Sequence, residues 1–360
     1  MALESREEDV IRPPVRIGIV GLGRAALFDH LPALRALPGL FKIVAICDVL
    51  KERRDIVEKD VPGLRTYRQI EDMLDDPEIE LVDIALPSVD HAKTALAALK
   101  RDKWTVVETP LALNYDDATV LKATAIKANN KLHVYTPGLF SPEFRLAFTA
   151  LDDPRLGGVY DIRIRHQDYI RRDDWQSVKR CGGGAAWYWG SDAVLQAMAL
   201  LRQPPAQLWS ELKRVVSVGD AEDFAHIVLK SRGPTTADIE LNSGQLAPCE
   251  PIFTIRGPRG AFTVAAGATE GTFHVVDPAY KFGRRRSSVR TPDLADMHED
   301  FVVRDIPFAL PEVPASAGET FWRTLYATIR TAVPFPVALD DVLESIRYLQ
   351  LAKNASPFAH

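Results

Sequence analysis

Residues 15 to 135 alternate short apolar segments with helix-like segments, and this alternation constrains the fold more than any other feature. The apolar segments are VRIGIVGLG, FKIVAICD, LVDIALP, KWTVVETP and KLHVYTP. Strands that are apolar throughout are typical of a parallel sheet with helices on both faces and right-handed crossovers. The sequence therefore predicts an α/β domain with a parallel sheet over residues 1–137.

The pattern changes after about residue 140, where strand candidates follow one another. They are VYDIRIRHQDY, LWSELKRVVSV, DFAHIVLKS, TADIELNS, FTIRGPRGAFTVA and GTFHVVD. The turn residues of IRGPRGAF indicate a hairpin. The proline-rich stretch IPFALPEVPASAGE is expected to be a loop before a helix, TFWRTLYATIRTA. Because 360 residues exceed most single cores, we predict a second, α+β domain over residues 138–360 with an open, mostly antiparallel sheet.

Composition excludes several classes of protein. A net charge of −5 gives no reason to expect a nucleic acid partner, and the basic cluster Lys281–Arg290, with Arg284, Arg285 and Arg286, is expected to be a solvated hairpin tip. Cys47, Cys181 and Cys249 lack metal-ligand spacing and are expected to be reduced thiols, with no metal bound. With no signal peptide and no membrane-length apolar run, a cytoplasmic protein is expected.

The stretch GLGRAA follows the first strand and opens a helix, which is typical of a Rossmann dinucleotide-binding domain. Gly21 permits a tight turn, Gly23 lets the backbone approach a pyrophosphate, and Ala26 keeps the helix close to the strand. The N–H groups of the helix N-terminus can bind phosphates. Arg24 and Ala25, in the same turn, are also candidate cofactor contacts.

The second strand ends at Asp48, ~25 residues beyond Gly23, near the spacing at which a carboxylate binds the adenosine ribose. Such a carboxylate repels a 2′-phosphate, and Val49 and Leu50 follow it rather than basic residues. Arg53 and Arg54 come too late to be obvious phosphate clamps. The sequence therefore favours NAD over NADP.

Six segments resemble the glucose–fructose oxidoreductase, inositol dehydrogenase and MocA (Gfo/Idh/MocA) family in the same order. They are GIVGLG, AICD, DIALPSVDH, VVETPLALN, LGGVYDIRIR and CGGGAAWYWGSD. The resemblance implies an NAD-dependent oxidoreductase of sugars or cyclic polyols. It also implies a homodimer or homotetramer that associates through the sheet of the C-terminal domain.

The resemblance assigns further cofactor-binding residues. Leu86 and Pro87 match a dipeptide that lies beside the dinucleotide in the family. His91 matches the histidine that opens the following helix, where a packing role is an equal alternative to cofactor contact. Glu108 matches the glutamate near the nicotinamide ribose.

The chain departs from the family at the positions that handle protons. Thr109 stands where the family has a lysine, Tyr188 where it has an aspartate, Asp192 where it has a histidine, and Leu195 where it has a later aspartate. In one continuous helix, residues 188, 192 and 195 would share a face. Thr109, Tyr188 and Asp192 are therefore the candidate catalytic residues.

Three functions remain open from these residues. A tyrosine-based oxidoreductase would transfer the substrate proton through Tyr188, assisted by Asp192 or a cationic neighbour. An enzyme that retains NAD would use it transiently in net non-redox sugar chemistry, such as glycoside cleavage or epimerisation. A binding module would sense dinucleotide or sugar without turnover. The candidate substrate-binding residues are His166, Arg171, Arg172 and Trp175.

Overall fold

The computed structural model describes residues 12–282, 301–311 and 316–356. The chain divides into two compact units, Met1–Pro137 with Ala315–Ile346, and Gly138–Pro314 with Arg347–His360. The predicted second domain was 138–360, whereas residues 315–346 group with the first unit. Of the basic cluster, residues Arg284 to Arg290 lie outside the described residues.

The first unit is built on a parallel sheet of six strands, as predicted, in the order β3-β2-β1-β4-β5-β6. The strands are β1 (Val15–Val20), β2 (Phe41–Cys47), β3 (Arg65–Tyr67), β4 (Leu81–Ile84), β5 (Trp104–Glu108) and β6 (Leu132–Tyr135). Five of them match the predicted apolar segments. The short β3 was not predicted because two of its three residues are exposed, so no apolar pattern marks it.

Five helices connect these strands and a sixth, Ala317–Thr331, follows the second sheet in sequence; polar side chains mark the starts of two of them. They are α1 (Leu31–Arg35), α2 (Lys51–Asp60), α3 (Ile70–Leu74), α4 (Ser88–Lys100), α5 (Tyr115–Lys127) and α9 (Ala317–Thr331). Asn114 caps α5 by accepting from the Asp117 N–H at 2.8 Å. Ser316 caps α9 by accepting from the Glu319 N–H at 3.2 Å. These side chains satisfy N–H groups that the helix leaves unpaired.

Helix α9 belongs to the first unit because its apolar face completes that core. Phe321 and Trp322 are fully buried. Their rings lie 4.8 Å and 5.8 Å from the ring of Tyr135 on β6, and Trp322 also packs on Phe41 of β2 at 5.5 Å. Aromatic side chains of this size bury large apolar areas. This packing explains why sequence order alone misplaced the segment.

The second unit holds an eight-stranded sheet in the order β14-β13-β12-β11-β7-β10-β9-β8. The strands are β7 (Asp161–Gln167), β8 (Pro205–Lys213), β9 (Phe224–Ser231), β10 (Thr236–Asn242), β11 (Phe253–Gly257), β12 (Gly260–Val264), β13 (Glu270–Val276) and β14 (Val303–Ala309). Only β7 and β10 pair in parallel. Helices α6 (Pro142–Ala150), α7 (Ala185–Tyr188) and α8 (Gly190–Leu201) pack on it. The predicted α+β fold with a mostly antiparallel sheet is confirmed.

Strand β14 corrects the prediction of a loop in IPFALPEVPASAGE. It pairs antiparallel with β13, and Phe308 lies 5.5 Å from Phe273 and 6.0 Å from Phe262. Pro307 is tolerated because β14 is an edge strand, where a missing N–H need not disrupt a ladder. The last helix, α10 (Leu339–Ala355), contains the unit boundary at Ile346.

Candidate functional site

The glycine turn after β1 has the geometry that a dinucleotide needs. Gly21 adopts φ +86°, and a Cβ there would lie 2.6 Å from the Ala85 carbonyl oxygen, so the position requires glycine. A Cβ on Gly23 would meet no atom within 4 Å. The space beside Gly23 therefore lets a phosphate approach the backbone, as the fingerprint predicts. Arg24 is exposed and Ala25 half-buried in the same turn.

Asp48 lies at the carboxyl end of β2 and joins that strand to the glycine turn. Its carboxylate accepts from the N–H of Leu22 and from the N–H of Leu50, each at 2.8 Å. Arg53 lies 3.4 Å away from the same carboxylate. These contacts use part of the hydrogen-bonding capacity of the carboxylate, which has about four acceptor positions. Asp48 is thus fixed where a ribose hydroxyl could reach its remaining positions.

A π-helical turn, Ala26–His30, follows the fingerprint and directs His30 into the domain interior. His30 Nδ1 lies 2.8 Å from an Asp83 carboxylate oxygen, and Nε2 lies 3.1 Å from Glu108 Oε1. The side chains of His30 and Asp83 are fully buried, whereas that of Glu108 is 19% exposed. The ring of Tyr135 packs against His30 with the ring centres 4.0 Å apart, and its hydroxyl donates to Asp29.

The two carboxylates determine the charge state of His30. Burial alone would lower the pKa of His30, but the charges and hydrogen bonds of Asp83 and Glu108 raise it well above its usual value. Burial alone would likewise raise the pKa of Glu108, but His30 lowers it, with help from His91 and the Thr109 N–H. The imidazolium and the ionised Glu108 therefore stabilise each other.

Thr109 contacts the same carboxylate. Its N–H donates to Glu108 Oε2 at 2.7 Å, and its hydroxyl lies 3.3 Å from that oxygen. The two residues precede Pro110, with which Thr109 forms a cis peptide bond. A hydroxyl is not a base near neutral pH. Thr109 therefore acts here as a hydrogen-bonding partner of Glu108.

His91 joins two loop segments of the first unit. Nδ1 lies 2.7 Å from the Pro110 carbonyl oxygen and Nε2 lies 2.8 Å from the Leu86 carbonyl oxygen, and the residue is 1% exposed. Both ring nitrogens thus hold backbone in place, which favours the packing role that the sequence left open. Leu86 and Pro87 are half-buried beside this ring, before α4. Direct cofactor contact by His91 stays a prediction.

In the second unit, the glycine triplet fits around a buried ion pair. A Cβ on Gly183 would lie 2.4 Å from the Gln176 carbonyl oxygen, and one on Gly184 would overlap the Glu222 carboxylate. Glu222 is buried and accepts from Lys353 at 2.6 Å. The Ala185 N–H donates to the Glu222 carbonyl, which starts α7. Gly184 and Glu222 together set the course of the chain toward Tyr188.

Tyr188 ends α7 beside two polar groups. Its hydroxyl lies 3.0 Å from the Ser243 hydroxyl, and the Arg172 guanidinium lies 5.0 Å from the centre of its ring. Burial raises the pKa of Tyr188, while Ser243 and Arg172 counteract part of this effect. Tyr188 therefore keeps its proton near neutral pH. The cationic neighbour that the sequence analysis considered is present as Arg172.

Asp192 contacts the backbone at the start of the second unit. Its carboxylate accepts from the Gly138 N–H at 3.3 Å, and Gln196 donates to the Gly138 carbonyl at 2.9 Å. The helical run that was expected to align 188, 192 and 195 is divided at Trp189 into α7 and α8. Leu195 is buried among apolar residues. A catalytic role for Asp192 stays a prediction.

The predicted substrate-binding residues are only partly brought together. His166 stacks 6.2 Å from Trp189, which in turn lies 5.0 Å from Tyr188, and burial lowers the pKa of His166 to about 4. Arg171 is exposed and donates to the Val216 carbonyl. Trp175 begins a 3₁₀ turn, with its carbonyl beneath Gly183. Arg172 therefore lies beside Tyr188, and Trp189 lies between His166 and Tyr188. Arg171 is instead hydrogen-bonded to the backbone at Val216.

Sequence reasoning missed His30 and Ser243. The signal for His30 is Asp83, a carboxylate inside the apolar strand LVDI, because a buried charge requires a partner. Ser243 has no such signal, since it follows β10 and reaches Tyr188 only through the tertiary fold. Across the described ranges, no three His, Cys, Asp or Glu side chains cluster to hold a metal ion. Within the same ranges, no helix combines the length and apolarity of a membrane span.

Comparison with known proteins defines the class as an NAD-binding oxidoreductase. Residues 15–136 match the family described as "Oxidoreductase family, NAD-binding Rossmann fold", and residues 144–263 match the "GFO/IDH/MocA C-terminal domain". The chain belongs to the Gfo/Idh/MocA family, which confirms the resemblance found in the sequence. The glycine turn and Asp48 fit the NAD that the family binds.

Three relatives show how far the similarity extends. An uncharacterized oxidoreductase of Schizosaccharomyces pombe is 26% identical over 96% of this chain and 98% of its own length. The scyllo-inositol 2-dehydrogenase (NADP(+)) of Bacillus subtilis is 22% identical over 95% of this chain and 94% of its own. The structure of aldose-aldose oxidoreductase from Caulobacter crescentus matches with a TM-score of 0.76 at 18% identity, covering 95% of this chain and 97% of that one. The last match concerns the fold alone.

Proposed function

We propose that this protein is an NAD-dependent oxidoreductase of a sugar or cyclic polyol, in which Tyr188 is the proton-transferring residue. The contact between the Tyr188 and Ser243 hydroxyls, with Arg172 beside the ring, is the observation that carries the proposal. The names of two similar proteins, an inositol dehydrogenase and an aldose-aldose oxidoreductase, support the substrate class.

The cofactor would be held by the glycine turn and by Asp48, which follows β2. Glu108 would contact it from the carboxyl end of β5, on the other side of β1. When bound, NAD supplies the chemistry of hydride transfer. Asp48 disfavours a 2′-phosphate, so NAD is expected to bind more tightly than NADP. A direct comparison of the two dissociation constants tests this preference.

Tyr188 is suited to act as a general acid in carbonyl reduction. A phenol is already neutral near pH 7 at its ordinary pKa of about 10, and burial raises the pKa of Tyr188 further. As the substrate carbonyl oxygen gains negative charge, the phenol can donate its proton to that oxygen. The phenolate that remains is stabilised by the Ser243 hydroxyl and the Arg172 charge and is reprotonated from solvent. Such acid catalysis contributes roughly 10²- to 10⁴-fold to rate.

The test is an NAD(H)-linked assay with a panel of sugars, cyclic polyols and their keto forms, in both directions. We expect Tyr188→Phe to lose at least about 100-fold in kcat while its Kd for NAD⁺ is unchanged. Tyr169→Phe is the matched control, because Tyr169 is 46% exposed and is expected to leave kcat unchanged. Full activity of Tyr188→Phe would exclude the assignment.

The same assay separates the two alternative functions. Turnover of a glycoside or sugar without net NADH would indicate a non-redox reaction that uses NAD transiently. NAD binding without turnover over the whole panel would indicate a sensor. Neither outcome would alter the assignment of NAD binding.

We also propose that the protein forms a homodimer or homotetramer through the sheet of the second unit. Trp209 on edge strand β8 is 52% exposed and packs its ring edge-on to His226 of β9. Light scattering after size-exclusion chromatography tests this. Trp209→Glu should shift the protein toward monomer, and a wild-type monomer would exclude the proposal.

A further inference from the structure

Glu108 is held by a chain of buried groups that the family assignment does not explain. His30 lies between Asp83 and Glu108, at 2.8 Å and 3.1 Å. The partners that hold it, His30 and Asp83, have no exposed side-chain surface, whereas the Glu108 side chain is 19% exposed. The carboxylate thus reaches the surface while the groups that fix it do not. This arrangement presents a charge to a ligand and shields its counter-ion.

The sheet topology places this charge on the nicotinamide side of the cofactor. In the order β3-β2-β1-β4-β5-β6, the chain reverses direction along the sheet between β1 and β4, and a dinucleotide lies across the carboxyl ends at that point. Asp48, at the end of β2, marks the adenosine side. Glu108 ends β5, on the other side of β1. A bound dinucleotide would therefore place its nicotinamide half on the side of Glu108.

Other titratable groups also face His30 and Glu108. Asp29 lies in the same turn and accepts from Tyr135 of β6, whose own pKa is raised by burial. Asp83 faces His30 from β4, and His91 of α4 is among the groups that lower the pKa of Glu108. The trio of His30, Asp83 and Glu108 thus joins the imidazole ring to two carboxyl groups. Its charge nearest the surface is that of Glu108.

We propose that Asp83 and His30 are positioning residues that fix an ionised Glu108 carboxylate, and that this charge makes the protein bind NAD⁺ in preference to NADH. The nicotinamide ring is cationic in NAD⁺ and neutral in NADH. A carboxylate a few ångströms away in a partly buried site attracts the cation, whereas it gains no such attraction from the neutral ring. The inference depends on NAD binding alone and not on the substrate.

The test is the ratio of the Kd for NADH to the Kd for NAD⁺, measured on the purified full chain from pH 6 to 9. NADH binding is followed by its fluorescence and NAD⁺ binding by calorimetry. We expect a constant ratio for the wild-type protein over this range. Glu108→Gln should lower the ratio about tenfold at every pH, as expected for the loss of one charge.

His30→Gln gives the sharper result, because it removes the imidazolium while Glu108 remains. Without the imidazolium, burial is opposed less and the pKa of Glu108 rises, so we expect the ionised fraction of the carboxyl to fall at the acid end of the range. The ratio should fall at pH 6 and recover toward the wild-type value as the pH rises. A His30→Gln ratio that matches wild type at every pH would overturn the role of His30. An unchanged ratio in Glu108→Gln would overturn the proposal as a whole.

His133→Gln is the matched control, since His133 is a second histidine of the same domain and packs against Trp104 and Phe335 instead. It should leave the ratio unchanged, and a fall equal to that of His30→Gln would overturn the proposal. If the His30 variant does not fold, nitrogen-15 NMR of the histidine side chains in the wild-type protein measures the protonation state of His30 directly. An imidazolium at His30 at pH 7.5 supports the proposal, and a neutral ring contradicts it.

Discussion

The Tyr188 hydroxyl lies 3.0 Å from the Ser243 hydroxyl, although 55 residues separate the two in the chain. Ser243 also follows directly from β10, and its carbonyl accepts from the Ile170 N–H. Because Ser243 is 1% exposed, its hydroxyl is held in a fixed environment. The pair therefore presents a phenol whose orientation is set by the second sheet.

Ser243→Ala is expected to lower kcat roughly fivefold, because one hydrogen bond to the reacting phenol is worth about 1 kcal/mol. Without this partner the pKa of Tyr188 rises further, so the acid remains present but its phenolate is less stable. The measurement is kcat for reduction of the best keto substrate as a function of pH. Ser231→Ala, at another buried serine of the same sheet, should leave kcat unchanged.

Gly184→Ala is expected to destabilise the protein by about 3 kcal/mol or more. The backbone there has φ +118°, which disfavours any L side chain, and a Cβ would overlap the Glu222 carboxylate. Urea unfolding gives the free-energy difference. Gly23→Ala is the contrasting variant, because its Cβ meets no atom. It should retain its stability and lose NAD⁺ affinity, and unimpaired binding would contradict the role of Gly23.

Lys353→Met is expected to cost about 3–5 kcal/mol of unfolding free energy, because it leaves the Glu222 carboxylate buried without its counter-ion. The double variant Glu222→Gln/Lys353→Met should recover part of this loss, since it removes the uncompensated charge. Urea unfolding of both variants measures the difference. Equal destabilisation of the single and double variants would show that packing of Lys353 on Trp187 matters more than its charge.

Acid is expected to destabilise the protein through His133. Burial lowers the pKa of His133 to about 4 in the folded protein, against a usual value of 6.5. Its contribution to stability is therefore complete above pH 6.5 and is lost as the pH falls toward 4. His133→Phe should reduce the loss of unfolding free energy between pH 7 and pH 5 by about 2 kcal/mol.

The contribution of His30 to stability is expected to depend on pH in the opposite direction from that of His133. Its folded pKa is raised, so its contribution is complete below pH 6.5 and is lost as the pH rises through the folded value. His30→Gln should therefore not protect the protein from acid. If it gave the same protection as His133→Phe, the charged state assigned to His30 would be wrong.

The sequence was sufficient for the features that depend on local pattern. Strands β1, β2, β4, β5 and β6 were predictable because apolar runs alternate with helices, and the glycine turn was predictable because Gly21 needs a positive φ. Strand β14 was not predictable. Its residues are mostly exposed, and it holds a proline, so only its pairing with β13 defines it as a strand.

The polar partners of the candidate site depend on long-range contacts and could not be derived locally. Ser243 approaches Tyr188 because β10 pairs with β7 and β9, and His30 approaches Glu108 because a π-helical turn redirects it. The expected common face of Tyr188 and Asp192 assumed an unbroken helix, whereas the helix divides at Trp189. Contacts of this kind, which depend on how distant segments pack, cannot be predicted from the spacing of residues in the sequence.

The contribution of α9 to the first core has a consequence for biosynthesis. Phe321 and Trp322 fill space beside Tyr135 that the first 137 residues cannot fill themselves. On the ribosome, the dinucleotide-binding domain can therefore complete its core only after almost the entire chain has been translated. The second domain is completed later still, because it also needs residues 347–360, which include the Lys353 that pairs with buried Glu222.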